Sequence, residues 1–420
     1  MHDIIIIGGG PAGSTAATLL AREGYKVVLL ERERFPRFQI GESLLPYNND
    51  LFDRLGVKDQ LLAGDFHPKY GADFLTGDGK VSYTFRFDRN LPEAQYQRSF
   101  QVKRAEFDHL LLRNAAASGV EVHEQTQVTA VELGDPERAV VRTADGRELT
   151  ARFVVDASGH GAVLGSKLGE NRAPIDELQK IAIFAHYRNV PRAEGKNAGN
   201  TVIVVLRDAW FWLIPVSEEE MSVGLVVNRE HVGSCGLKPE ELLARTIADT
   251  PWVAERMKAA ERISQVYARK DFSYAMRKMV GPNFALAGDA AGFLDPIFST
   301  GVFMAMKSAS IVADAVTLRL RGGSMRALKR YERDMSGALR KYFIFIRHFY
   351  RREFLEVFMQ PKPNYGLLQA IIGVLAGDIF AKRGNRLKLL FFFLLVRIQK
   401  RRPVIAPRIE WDSLPAAASV

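Results

Sequence analysis

The stretch Ile4-Ile5-Ile6-Ile7-Gly8-Gly9-Gly10-Pro11-Ala12-Gly13-Ser14-Thr15 decides the fold of this chain. His2–Ile7 is a short β-branched run, the composition of a strand buried in a parallel sheet. It ends in the spacing Gly8-x-Gly10-x-x-Gly13, and a helical pattern follows through Ser14-Thr15-Ala16-Ala17-Thr18-Leu19-Leu20. A second apolar strand over 26–30 runs into Glu31 and Arg32. Each position has a physical task. Gly8 permits the tight turn, Gly10 lets a pyrophosphate come up against the backbone, and Gly13 lets helix and strand pack closely. Pro11 and Ala12 open the helix, whose free N–H groups and positive dipole end attract that phosphate. Glu31 lies 18 residues past Gly13, where a carboxylate accepts ribose hydroxyls, with Arg32 beside it as a further contact. Strand, glycines, helix, second strand and acidic end, in this order, predict a Rossmann-like α/β dinucleotide-binding domain.

The remaining 400 or so residues are enough for one large core or two to three coupled domains. An apolar share of 47% with 25% charged residues is that of an ordinary globular chain. A single cysteine, Cys235, excludes an intramolecular disulfide and suits a reducing cytoplasm, and no leader-like segment precedes the first strand. The formal charge of +10 is uneven: from Gly322 onward there are 19 Lys/Arg against 7 Asp/Glu, so the earlier part is close to neutral. Such a basic end suits an anionic membrane face or an acidic carrier protein; a set of solvated helix faces is the plainer alternative. It carries no nucleic-acid-binding motif, so nucleic acid is not expected as a partner. No His/Cys spacing suggests a metal, and no nucleophile elbow is present. His109, His186 and His231 read as ordinary surface or core histidines.

Two later segments choose the dinucleotide. Phe153-Val154-Val155-Asp156-Ala157-Ser158-Gly159 is an apolar strand ending in a small-residue turn. Asn283-Phe284-Ala285-Leu286-Ala287-Gly288-Asp289-Ala290-Ala291-Gly292 is a strand, a Gly-Asp turn and a helix start. Both resemble the second and third FAD fingerprints of the p-hydroxybenzoate-hydroxylase-like flavoproteins. That resemblance implies that Gly288 and Asp289 approach the ribityl chain and that Asp156 lies near the cofactor. Val102-Lys103-Arg104-Ala105-Glu106-Phe107-Asp108 resembles the same family's segment with a flavin-facing arginine, here Arg104.

The expected FAD-binding domain is discontinuous, over 1–69, 100–169 and 266–321. Within it, 121–124, 128–133, 139–143 and 149–155 read as short strands, with Asp145-Gly146 as a hairpin turn. Residues 70–99 and 170–265 carry a second set of strands at 80–87, 181–187, 201–206, 210–216 and 221–228. These suit an inserted antiparallel-sheet substrate domain. Residues 322–420 form a basic, helical C-terminal region. Its charge-free run 389–396 is far shorter than the roughly 20 residues a bilayer span needs. Burial against the substrate domain is the default expectation there, with peripheral membrane contact through the basic flanks as the alternative.

Three segments narrow the chemistry. Trp210-Phe211-Trp212-Leu213-Ile214-Pro215 has the W-x-W-x-I-P spacing of the flavin-dependent halogenases. On a strand Trp210 and Trp212 share one face, so two indoles stand side by side; on a sheet this is also a common core arrangement. Phe293-Leu294-Asp295-Pro296-Ile297-Phe298-Ser299-Thr300-Gly301 resembles the F-x-P-x-x-S-x-G segment of halogenases acting on phenols and pyrroles. A Pro-led turn into Gly301 opens a helix whose unpaired N–H groups bind small anions. Related hydroxylases carry a proline and glycines here as well. His67-Pro68-Lys69-Tyr70-Gly71-Ala72-Asp73-Phe74 resembles the family's lysine segment, and Gly41-Glu42-Ser43-Leu44-Leu45-Pro46 its flavin-contacting loop, with Glu42 and Ser43 at the cofactor.

The resemblance implies an FADH2-dependent halogenase of the phenol and pyrrole type. Reduced FAD from a separate flavin reductase would meet O2 to give a flavin hydroperoxide. Chloride or bromide held at Ser299, Thr300 and Gly301 would become hypohalous acid. That acid would pass the screening face of Trp210 and Trp212 to the catalytic Lys69, which aims it at a small electron-rich aromatic substrate, free or carrier-protein-bound. A single-component FAD monooxygenase and a prenyl-chain (geranylgeranyl-type) reductase are the competing readings. The first consumes NAD(P)H without halide; the second reduces an alkene at a membrane surface.

Overall fold

The computed structural model describes residues 1–169, 171–270, 273–360, 366–380, 386–411 and 416–418. It divides into two compact units, Met1–Gly64 with Lys103–Ile175 and Ser273–Lys341, and Asp65–Val102 with Asp176–Phe272 and Tyr342–Val420.

In the first unit the four isoleucines do what their branching favours. His2–Ile7 is the inner strand of a parallel sheet, and Ile4, Ile5 and Ile6 are wholly buried. Each such side chain contributes about 1.5–3 kcal/mol of burial free energy. Its neighbours are Val27–Leu30 and Glu148–Asp156, with Ile4 opposite Val27 on one side and Phe153 on the other. The order across the sheet is Val280–Gly281, Phe284–Leu286, Glu148–Asp156, His2–Ile7, Val27–Leu30, Glu121–His123. The hairpin of Val128–Asp135 and Arg138–Thr143 joins Glu148–Asp156 antiparallel, and Gly146 turns with φ +85° where the Asp-Gly pair predicts. All three fingerprint strands therefore lie side by side and point their ends the same way, as a Rossmann-like sheet requires.

The helix Pro11–Arg22 packs on Arg104–Ala117 and on Gly301–Leu320. Gly301–Leu320 is long and apolar enough to cross a membrane by length and composition, but 72% of it is buried within the protein, as in the core helix of a globular unit. A small sheet of Arg172–Pro174, Tyr274–Met276 and Gly292–Phe293 completes this unit.

The second unit is built on a larger sheet, ordered Glu261–Arg262, Lys180–Arg188, Glu220–Asn228, Ala209–Pro215, Thr201–Val205, Gly71–Thr76, Ser82–Arg86. The expected strands are present, and one pairing departs from the antiparallel expectation. Thr201–Val205 runs parallel to Gly71–Thr76, a strand that its polar and glycine content concealed. Gly71 is forced: a Cβ there would lie 2.3 Å from the Phe85 carbonyl oxygen. The strand expected over 80–87 is Ser82–Arg86, and the chain breaks into a helical turn at Phe87–Asn90. On one face of the sheet Phe211, Leu213, Val223 and Leu225 pack with Leu242 and Leu243 of the helix Pro239–Asp249. Strand alternation puts Trp210 and Trp212 on the other face. The C-terminal helix Arg386–Arg401 packs on both Arg352–Phe358 and Leu367–Ala376, with the Phe354 and Phe392 rings edge to face at 5.4 Å.

The tightest approach in the first unit is at Gly13, where a Cβ would fall 1.8 Å from the Gly8 carbonyl oxygen. Gly13→Ala is expected to cost about 3 kcal/mol, since neither backbone segment can withdraw. Urea unfolding of the purified variant checks this; an unchanged midpoint would show that the turn relaxes freely.

Candidate active site

The turn after His2–Ile7 sorts the glycines by task. Gly8 has φ +101°, and a Cβ on it would meet the Ala157 carbonyl oxygen at 2.5 Å, so it serves packing between strands. Gly10 is different: the nearest group to its missing Cβ is Arg37 Nη2, at 3.5 Å. Its face is open where a phosphate would approach, and Gly10 caps the helix that begins with Pro11. The Glu31 carboxylate is buried and accepts from the Gly9 N–H at 2.6 Å and the Glu33 N–H at 2.8 Å. A carboxylate offers about four lone-pair sites, so two amides leave room for ribose hydroxyls. Arg32 points its side chain to solvent, 3.8 Å from Glu33.

Arg104 opens the helix Arg104–Ala117 and is buried. Its Nε and Nη2 donate to the two oxygens of Asp108 at 2.7 and 2.8 Å, and Nη1 donates to the Ile40 carbonyl at 2.6 Å. Burial pulls its pKa down, but the charges of Asp108, Asp289 and Glu42 more than offset it and hold the guanidinium firmly charged. Arg37 shares Asp108 through Nη1 at 3.1 Å. Glu42 and Ser43 are buried alongside. Neither Arg37 nor Asp108 was singled out from sequence. Asp108 was legible as the i+4 partner of Arg104 on one helix; Arg37 reaches the loop only through the fold.

Asp156 carries the turn at the end of its strand. Its carboxylate accepts from Ser158 N at 3.0 Å, Ser158 Oγ at 2.6 Å and Leu164 N at 2.7 Å, while burial raises its pKa against those bonds. It shapes the wall of the site with a side chain already occupied by its own turn. Gly288 has φ +62°, its N–H donates to Ser308 Oγ at 2.8 Å, and a Cβ would meet that of Ala12 at 2.9 Å. This contact brings the third fingerprint against the first. Asp289 sits 3.8 Å from His160 Nδ1, and Tyr274 OH donates to the Asp289 carbonyl at 2.6 Å. Burial pushes the Asp289 carboxyl up, and His160 and Arg104 pull it back. Then the chain turns: Asp295 accepts from Ile297 N at 3.0 Å, Ser299 takes the left-handed φ of +55°, and Thr300 caps the helix Gly301–Leu320. Opening of the helix at Gly301 agrees with the Pro-led turn. An open glycine face at a helix start, a half-used buried carboxylate and a clamped arginine fit an FAD pyrophosphate, ribose and isoalloxazine. Among the described residues no group of His, Cys, Asp and Glu is arranged to hold a metal.

In the second unit Lys69 ends the strand His67–Lys69, which pairs with Ser99–Gln101. It is only 2% exposed, its Nζ lies 5.7 Å from the centre of the Phe87 ring, and burial lowers its pKa from 10.5 to about 7. Ser99 stands directly opposite Lys69 in the pairing, and its buried Oγ has no hydrogen-bond partner among the described residues. Ser99 was missed because only strand pairing brings it there. Trp210 and Trp212 lie with ring centres 6.0 Å apart. Their N–H groups donate to Tyr350 OH at 2.9 Å and Ser222 Oγ at 3.1 Å. Gly224 on the next strand makes space for the second indole, since a Cβ there would lie 2.2 Å from Trp212 Cζ2.

The FAD-binding-domain family profile matches residues 1–342. The chain is 30% identical over 416 residues to the 1H-pyrrole-2-carbonyl-peptidyl-carrier-protein chlorinase of Pseudomonas fluorescens, covering 93% of this chain and 91% of that one. It is 31% identical to the corresponding brominase of Pseudoalteromonas luteoviolacea, over 93% and 95% of the two chains. The solved structure of the flavin-dependent brominase Bmp2 superimposes with a TM-score of 0.85 at 30% identity, covering 96% of this chain and all of that one.

The Lys69 shift has a measurable consequence. A lysine whose folded pKa is depressed destabilises the folded state most below about pH 7, and the penalty fades as pH rises toward 10.5. Lys69→Met removes it, so the variant is expected to be more stable than the parent by a few kcal/mol at pH 6. The gap should narrow by pH 9. Denaturant titrations at both pH values check it; a gap independent of pH would mean that Lys69 is not held in a dry site.

Proposed function

This chain belongs to the FAD-binding-domain flavoproteins and, among them, to the flavin-dependent halogenases, and we propose that it halogenates a pyrrole-type ring presented on a carrier protein. The buried Lys69, poised near neutrality, is the observation that carries the site assignment. The carrier-bound pyrrole rests on two relatives that span nine-tenths or more of their own length and are named for that substrate.

Reduced FAD with O2 supplies the oxidising equivalent that turns chloride or bromide into hypohalous acid. The rest falls to the side chains. Gly10, Glu31, Arg37, Arg104 and Asp289 hold the dinucleotide, and the amides around Ser299, Thr300 and Gly301 hold the halide. Trp210 and Trp212 supply an aromatic screening face. The Lys69 ammonium donates a hydrogen bond to the oxygen of hypohalous acid and polarises the oxygen–halogen bond. A ring carbon attacks the halogen, that bond breaks, and the departing hydroxide takes a proton from Nζ and leaves as water. The ring then loses its proton and regains aromaticity, and the Lys69 amine is reprotonated. In sum, hypohalous acid and arene give aryl halide and water. Electrons for FAD come from a separate flavin reductase.

The ammonium is the working form, so halogen transfer should be fastest below pH 7 and fall about tenfold per unit above it. The test supplies chemically reduced FAD, O2 and bromide to the enzyme with a panel of pyrroles, phenols and indoles, and reads products by mass spectrometry. Bromine isotope doublets are expected from the parent, with a loss of at least a hundredfold in Lys69→Gln. Hydroxylated products that form without bromide would overturn the assignment in favour of a monooxygenase.

A further inference from the structure

The helix Arg386–Arg401 buries one face and leaves another open. Phe392, Val396 and Gln399 point inward, and Gln399 Nε2 donates to Glu356 at 2.7 Å and to the Ala406 carbonyl at 2.9 Å. On the opposite side Leu387, Leu390, Phe391 and Leu394 are between 40% and 77% exposed. Their spacing of three, four and seven places them on one stripe. Arg397 and Arg401, both exposed, continue that stripe toward the C-terminal end of the helix. An apolar stripe that runs into a pair of cations is unlike the scattered single leucines of an ordinary surface.

We propose that this face is the docking surface for the carrier protein, receiving an amphipathic helix that is apolar along its centre and acidic at one end. The inference rests on the carrier-bound reading given above. A bilayer fits less well. A helix lying in a membrane surface buries a long apolar face between cationic flanks; here the exposed apolar stripe is only about 10 Å long, as 1.5 Å per residue dictates, with Lys388 exposed near its start and Arg397 and Arg401 at its end. A second copy of the chain fits less well too, because a stable dimer buries about 800 Å² on each partner and two helical turns fall short of that. A short apolar contact assisted by charge is what a carrier needs, since it must dock, deliver and leave. The helix is also connected to the site. It packs on Leu367–Ala376, which packs on Phe87–Asn90, and the Phe87 ring faces Lys69 Nζ at 5.7 Å.

The test uses the full chain with a 1H-pyrrole-2-carbonyl-loaded acidic peptidyl-carrier protein, in steady-state kinetics and by fluorescence anisotropy of the labelled carrier. Leu390→Glu combined with Leu394→Glu should raise both KM and the dissociation constant for the carrier tenfold or more, with kcat and turnover of free pyrrole unchanged. Arg397→Glu with Arg401→Glu should weaken binding similarly and flatten its salt dependence. Unchanged carrier affinity in both variants would overturn the proposal. So would loss of sedimentation with phosphatidylserine vesicles, or loss of a dimer, while the carrier constants stay as they were. If the parent binds the loaded carrier but halogenates nothing, the functional reading falls, and anisotropy still decides the docking. If it halogenates free pyrrole and does not bind the carrier, the docking falls alone.

Discussion

The Gly8 carbonyl occupies the point in space where a side chain on Gly13 would begin, and the cofactor half of this protein depends on that contact. Because Gly13 has no Cβ, the helix Pro11–Arg22 can lie directly against the end of the strand His2–Ile7. Its first amides and dipole then point at the open face of Gly10. The other two fingerprints are drawn to the same place by similar economies of volume. Gly8 accepts the Ala157 carbonyl at close range, and Gly288 accepts Ala12. Three segments separated by more than a hundred residues thus converge through backbone contacts that any side chain would block.

Charge in the first unit is organised around one buried carboxylate. Asp108 is fully buried and binds both Arg104 and Arg37. A buried ion pair seldom adds much net stability, because desolvation offsets the attraction, but losing one partner strands the other charge in the interior. Its value here is positional. It fixes one guanidinium beside the loop Gly41–Glu42, where Arg104 also binds the Ile40 carbonyl, and brings the other to the edge of Gly10.

The second unit inverts that logic at Lys69. Desolvation lowers its pKa, so the fold bears the cost of a buried amine. In exchange, the group exchanges protons near neutral pH, where an exposed lysine stays charged. A site of this kind is destabilising by construction, which is a common signature of function rather than of packing. The paired tryptophans differ: their N–H groups are satisfied by Tyr350 and Ser222, so the aromatic wall itself is stable.

What the sequence determined by itself was the cofactor fold. Short-range signals sufficed there, because the glycines, the β-branched strands and the carboxylate after the second strand each act within a few residues of one another. The resemblance of Trp210-x-Trp212, of the segment around Ser299 and of the segment around Lys69 also carried the family. Tertiary structure alone decided the rest. Gly71–Thr76 is a strand because Thr201–Val205 lies beside it, and its own polar content hides that. Ser99 reaches Lys69, and Arg37 reaches Gly10, only through pairings between distant segments. The Lys69 pKa is likewise a property of its surroundings: a lysine in a sequence is a solvated charge until the fold removes the water.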